Sequence, residues 1–181
     1  CRHEQACALA ADGYARASGQ LGVCIATSGP GATNLITGVA NAYMDSIPLL
    51  VITGQVPSGL IGTDAFQETD ILGMTLGIVK HSYLVDDPED LPGILEEAID
   101  LAQAGRPGPV WIDIPKDILL SEIEAPAPAC TEAPPADCPE IGPALAMLRS
   151  ARRPLLYSGG GVSLAGAEDR FRTFAEVSGL P

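Results

Sequence analysis

GVCIATSGPGATNLITGVANAYMDSIPLLVITG (residues 22–54) decides the fold. It opens on a short apolar run, 22–27, that suits a buried strand. SGPGATN (28–34) turns the chain into a helix reaching about Tyr43, and after Pro48 comes a second apolar run, LLVITG (49–54). Two short strands joined by a helix of this length make a βαβ unit, and such units build a parallel sheet. Upstream, residues 3–18 predict a helix whose small residues Ala6, Leu9, Ala10, Gly13 and Ala17 share one face, with Gly19 as the stop. Downstream, QVPSGLIGTDAFQETD (55–70) is a polar loop of a length that compact domains usually keep for function. A short helix to about Leu76, a third strand IVKHSYLV (78–85), an amphipathic helix over 88–105 and a fourth strand PVWIDI (109–114) follow. Asp90 is the expected N-cap of that last helix and Gly105 its stop. The fold class is α/β, a parallel sheet flanked by helices, and apolar strands of this kind fit a sheet covered on both faces.

At residue 121 the composition changes. SEIEAPAPACTEAPPADCPE (121–140) is rich in Pro, Ala and acidic residues and reads as an extended linker. Beyond it, 140–151 and 165–178 predict helices, and RPLLYSGGG (153–161) predicts a strand entering a glycine turn. That is the opening of a second, Rossmann-like α/β domain. The expected division is a first domain at 1–120, a linker at 121–139 and a second domain from 140 to 181.

Apolar residues are 46% of the chain and aromatics only 4%, so the core must be built from Ala, Val, Leu and Ile. A net charge of −13 repels phosphate backbones and anionic lipid, which argues against nucleic-acid and membrane partners. No apolar run approaches the roughly 18 residues of a membrane span. The five cysteines form no CxxC pair and only His3 and His81 could assist them, so reduced thiols are expected and no metal site. The chain opens on Cys1, directly at a motif, and is expected to be an internal piece of a longer protein.

Several residues could carry chemistry. Glu4 stands at a helix start, where a carboxylate is ordinarily a solvated partner of the helix dipole; a functional role would require burial that raises its pKa. SGPGATN is open to three readings: a phosphate cradle, a tight strand-to-helix turn, or close backbone approach to a flat heterocycle. Phe66 and Gln67 sit on the long loop as a ligand wall with a hydrogen-bonding amide, or Phe66 anchors the loop in the core. Arg106 and Lys116 flank the last strand, Lys116 just past its carboxyl end, where parallel sheets gather ligands. Gly159, Gly160 and Gly161 form a second glycine turn, open to a nucleotide cofactor or simply to flexibility.

RHEQACALAADGYAR, ATSGPGATN, DSIPLLVITGQVP, IGTDAFQET, KHSYLV and GRPGPVWIDIPKDI, in this order and spacing, resemble the catalytic large subunit of acetolactate synthase, a thiamine-diphosphate-dependent enzyme family. The resemblance covers residues 2–120 and resumes at RPLLYSGGG. It implies that residues 1–120 are the pyrimidine-binding domain, lacking its first strand and helix, and that 140 onwards begins the central, FAD-associated domain. It implies that Glu4 hydrogen-bonds N1′ of the cofactor's aminopyrimidine and activates it. Pro30, Asn34, Ser46 and Gln67 would be further thiamine diphosphate contacts, with Gln67 also catalytic. Phe66 and Lys116 would meet substrate, and Arg106, Gly159 and Gly160 would hold an FAD that takes no part in the main reaction.

The implied reaction decarboxylates pyruvate and transfers the two-carbon unit to a second 2-oxoacid. The products are 2-acetolactate, or 2-aceto-2-hydroxybutyrate from 2-oxobutyrate, in isoleucine and valine biosynthesis. The resemblance also places the diphosphate and its Mg2+ on a C-terminal domain outside this sequence. The SGPGATN turn would then meet the aminopyrimidine, in a homodimer or tetramer with the active site at the subunit interface. A small regulatory subunit, and a cytoplasmic, plastid or mitochondrial location, belong to the same expectation. The chain alone is expected to be inactive. Ser58 and Gly59 stand where many family members carry bulkier or basic residues, so access to the site is expected to differ. Two other readings are another decarboligase, such as sulfoacetaldehyde acetyltransferase, and a non-catalytic nucleotide-binding module.

Overall fold

α1 (Glu4–Ser18) starts where His3, in extended conformation, accepts the Gln5 N–H, and it stops at Gly19 in the left-handed region. β1 (Gly22–Ala26), α2 (Pro30–Met44) and β2 (Leu49–Gln55) follow as the expected βαβ unit. α3 (Ile71–Thr75), β3 (His81–Leu84), α4 (Leu91–Gln103), β4 (Pro109–Pro115) and α5 (Lys116–Leu119) complete the first unit. The chain divides into two compact units, Cys1–Cys130 and Thr131–Pro181. The computed structural model describes residues 1–124 and 140–181. The expected linker therefore lies outside the described residues from 125 to 139, with Cys130 and Cys138.

All four strands are parallel, in the order β1-β2-β4-β3. One sheet face carries Cys24, Leu49, Val51 and Trp111, packed with Ala8, Ala11 and Ala15 of α1, Leu35 and Val39 of α2, and Ile71 of α3. The other carries Leu50, Val110, Ile112 and Ile114 beneath Ala98 and Ala102 of α4. Small and aliphatic residues dominate both layers, as the composition demanded; Trp111, fully buried, is the exception.

Three local expectations are corrected. The small-residue face of α1 is the exposed one: Ala6, Leu9, Ala10, Gly13 and Ala17 face out, and Ala8, Ala11, Asp12 and Ala15 are buried against α2. Alanines are spread around α1, so spacing could not say which side faces in. The contact chose the side where Gly38 leaves room, since a Cβ there would lie 2.5 Å from the Ala8 Cβ. Asp12 hid the stripe; its charge is met by Arg16 at 3.1 Å and by the Asn41 amide at 2.9 Å. β1 is not buried on both faces: Val23 and Ile25 are exposed, because β1 is an edge strand and α4 covers only β2 and β4. Asp90 makes no capping bond; Asp87 caps the preceding 3-10 turn by accepting the Glu89 N–H at 3.0 Å.

In the second unit, α6 (Ile141–Ser150), α7 (Gly160–Leu164) and α8 (Glu168–Ser178) are helices. The strand expected at 153–158 is absent among the described residues. A strand exists through its ladder, and this stretch has one backbone bond of that reach, Leu156 N–H to the Pro181 carbonyl at 2.8 Å. Tyr157 is accordingly 94% exposed.

Candidate functional site

Toward the carboxyl ends of the strands, the sheet face beneath α1 to α3 changes character. Leu49, Val51 and Trp111 give way to Thr53, Gln55 and Asp113, all buried. Thr53 and Asp113 are register partners. The Thr53 hydroxyl donates to Asp113 Oδ1 at 2.6 Å while accepting the Trp111 indole N–H at 2.7 Å. Gln55 Nε2 donates to Asp113 Oδ2 at 2.8 Å and to the Thr69 carbonyl at 2.9 Å, and Gln55 Oε1 accepts the Val56 N–H at 2.8 Å. Burial pushes the Asp113 carboxyl up to about 6, and the bonds from Thr53 and Gln55 offset only part of that rise.

The loop these strands launch is stapled by its own carboxylate. Glu68 accepts the N–H groups of Gly62, Thr63 and Ala65. Those of Gly62 and Ala65 hold its pKa below the usual range. Phe66 is 88% exposed, which removes the reading of Phe66 as a core anchor. Gln67 adopts φ 63, rare for a residue with a side chain. It is pressed against SGPGATN: a Cβ on Gly29, itself at φ 57, would come within 2.6 Å of the Gln67 carbonyl oxygen. SGPGATN forms a tight turn from β1 into α2, and the backbone that Gly29 lets close is that of the chain's own loop.

Glu4 leaves the first turn of α1 and meets the first turns of α2, where Asn34 Nδ2 donates to Glu4 Oε2 at 3.0 Å. Pro30 begins α2 beside Gly29. Glu4, Pro30 and Asn34 are thus gathered at two helix N-termini, and Gly29 joins Gln67 to them; Phe66 is its exposed neighbour in the chain. The Asn34 bond holds the Glu4 carboxyl below its ordinary pKa, opposite to the rise that a proton-holding role needs.

Ser46 and Arg106 are not part of this cluster. They sit together past the other end of α2, whose 15 residues span about 22 Å. Arg106 Nε donates to Ser46 Oγ at 2.7 Å, and its NH2 group caps the carbonyls of Tyr43 and Met44 at 3.4 and 3.3 Å. Lys116 begins α5 at the carboxyl end of β4, exposed. Its neighbour Asp117 anchors the loop start by accepting the Ser58 N–H and hydroxyl at 3.0 and 3.1 Å. Gly159 and Gly160 lie in the second unit at the start of α7, and a Cβ on either would meet nothing within 4 Å.

Among the described residues no group of three His, Cys, Asp or Glu could hold a metal ion. Cys1, Cys7 and Cys24 are free thiols; burial pushes Cys24 up to about 12, which keeps it protonated and unreactive. No helix among the described residues is long and apolar enough to cross a membrane. Reading residue by residue missed Asp113, Gln55, Thr53 and Glu68. The signal was present in β2 and β4: one Asp and one Gln interrupt otherwise apolar strands.

Residues 1–74 match the family model "Thiamine pyrophosphate enzyme, N-terminal TPP binding domain", and the four-stranded parallel sheet flanked by helices is consistent with that domain class. Along its whole length the chain is a homologue of acetolactate synthase large subunits. It is 54% identical to the acetolactate synthase isozyme 2 large subunit of Escherichia coli (strain K12), over 100% of this chain and 33% of that protein. It is 50% identical to the acetolactate synthase large subunit of Corynebacterium glutamicum, over 99% of this chain and 30% of that protein. It is also 50% identical to acetolactate synthase 1, chloroplastic, of Oryza sativa subsp. japonica, over 99% and 29%. The chain thus spans about a third of the length of the curated relatives it matches.

Proposed function

We propose that this chain is part of a thiamine-diphosphate-dependent acetolactate synthase, which decarboxylates pyruvate and joins the two-carbon unit to a second 2-oxoacid. The observation that carries the reading is the unbroken similarity to acetolactate synthases, 50–54% identity over essentially every residue. Nothing in it favours sulfoacetaldehyde acetyltransferase or a non-catalytic nucleotide-binding module. Residues 1–120 are the pyrimidine-binding domain, 121–139 a linker and 140–181 the start of the FAD-associated domain.

The residues at the two helix N-termini fit the aminopyrimidine half of the cofactor, which supplies an electron sink for loss of CO2 when bound. Glu4 offers a carboxylate whose Oε2 is fixed by Asn34 at 3.0 Å, so Oε1 is the oxygen that would be left to hold the ring nitrogen of the aminopyrimidine and exchange a proton with it. The Asn34 bond depresses the Glu4 pKa, and burial beneath a partner subunit would oppose that bond and raise the pKa toward the value the exchange needs. Gln67 and Phe66 border the reacting carbon, and Lys116 binds substrate carboxylate at the mouth.

The described residues do not fit a Mg2+ site, and no step here depends on one. Arg106 is spent on α2 and Ser46, so its FAD contact, with those of Gly159 and Gly160, and the thiamine contact of Ser46 rest on the family alone. The full assembly is a homo-oligomer with interfacial active sites and a small regulatory subunit. The test is Glu4→Gln in the longer protein that carries this chain. Acetolactate formation from pyruvate is expected to fall at least about 100-fold with the fold intact; near-normal turnover removes Glu4 from catalysis.

A further inference from the structure

The hydrogen bonds around Asp113 have only one consistent direction. An indole N–H can only donate, so the Thr53 oxygen accepts the Trp111 bond, and with Asp113 ionised the Thr53 proton points at Asp113 Oδ1. At Gln55, the Val56 N–H requires an acceptor and the Thr69 carbonyl requires a donor, which fixes the amide orientation and aims Nε2 at Asp113 Oδ2. Both Asp113 oxygens must therefore accept. No neutral side chain of the same shape does that, because a carboxamide presents one acceptor and one donor.

The output of this chain is the loop. Gln55 grips it at both roots, Val56 and Thr69, and Thr69 is two residues from Gln67, whose backbone rests on Gly29. The geometry points to Asp113 as a positioning residue: acting through Gln55, it sets where the Phe66–Gln67 wall stands over the helix N-termini of the candidate site. This rests on the proposed function only for what the wall does; the clamp itself is independent of it.

Asp113→Asn supplies one acceptor where two are needed: with its NH2 toward Gln55 it opposes Nε2, and with its NH2 toward Thr53 it leaves the hydroxyl, which already takes the Trp111 N–H, without an acceptor for its own proton. In the first orientation a flip of Gln55 turns its oxygen to the Thr69 carbonyl and its nitrogen to the Val56 N–H, so the clamp opens; Gln55→Met opens it whichever way the new amide lies. The longer protein that carries this chain is loaded with thiamine diphosphate and assayed with pyruvate, in parallel with hydrogen exchange. Val110→Ala serves as a control for stability loss, being a core truncation on the same strand but the opposite sheet face. Expected for Asp113→Asn is at least about tenfold lower kcat, with exchange at least about tenfold faster at residues 56–69 and unchanged in α4. The control is to lose thermal stability while keeping kcat and the exchange of 56–69. Gln55→Met, which removes the grip and leaves Asp113 on Thr53, is to reproduce the Asn phenotype and decides the matter if Asp113→Asn does not fold. Unchanged exchange at 56–69 in a folded variant, or kcat tracking stability equally in the control, overturns the proposal. Absence of acetolactate from the unaltered protein overturns the proposed reaction and leaves the exchange arm to judge the clamp.

Discussion

Replacing Asp113 by Asn also tests the electrostatics of this buried network, through the pH dependence of stability. Asp113 is 1% exposed, and burial raises its pKa from 3.8 to about 6. Between these values the folded state holds a proton that the unfolded state has released. Stability therefore falls as pH rises through the window and is regained on acidification. A shift of roughly two units at about 1.4 kcal/mol each makes the buried charge about 3 kcal/mol more costly at pH 7 than below pH 4. Asparagine does not titrate, so the unaltered protein should gain about 3 kcal/mol relative to the variant between pH 7 and pH 3. Glu4, Glu68 and Asp117 have depressed pKa values and act in the opposite sense, losing stabilisation as pH falls through their folded pKa. They are common to both proteins and cancel in the difference. The assay is urea unfolding at a series of pH values, followed by the fluorescence of Trp111, the single tryptophan, which is buried within the same network. A difference that stays flat with pH, or that moves against the unaltered protein on acidification, refutes the reasoning.

Two further outcomes follow from backbone geometry and a cap. Gly29→Ala must hold φ 57 and place a methyl 2.6 Å from the Gln67 carbonyl, so a loss of about 2–4 kcal/mol or a displaced 62–69 loop is expected; unfolding and exchange of those residues measure it, and a silent substitution would show that the two motifs do not touch. Lys80→Met keeps the apolar stem but removes the ammonium from the carbonyls of Leu101 and Ala104 at the end of α4. It should cost about 1–2 kcal/mol and speed exchange in the last turn of α4, read by urea midpoint and amide exchange.

Much of the fold was legible because it rests on local periodicity. Apolar runs at 22–27, 49–54 and 109–114 became β1, β2 and β4 within a residue or two, and the glycine and proline punctuation marked where α1 and α2 begin or end. The site was legible as a set of motifs rather than as contacts. RHEQ, SGPGATN and DAFQET were recognisable strings, but that Asn34 holds Glu4 and that Gln67 rests on Gly29 involves partners 30 and 38 positions apart. Ser46, grouped with Pro30 and Asn34 by resemblance, stands at the far end of their helix because 15 helical residues intervene.

By itself the sequence determined the parallel α/β class, the order of elements in the first unit and the family, since hydrophobic period and ordered motifs are properties of the chain read in one dimension. Only the tertiary structure decided which face of α1 is buried, that β1 is half uncovered, and that Asp113, Gln55 and Thr53 form one directed network gripping the loop. Burial and hydrogen-bond direction depend on which groups meet across strands and helices, and an Asp in a strand carries no mark of the Thr, Gln and Trp that packing will set around it.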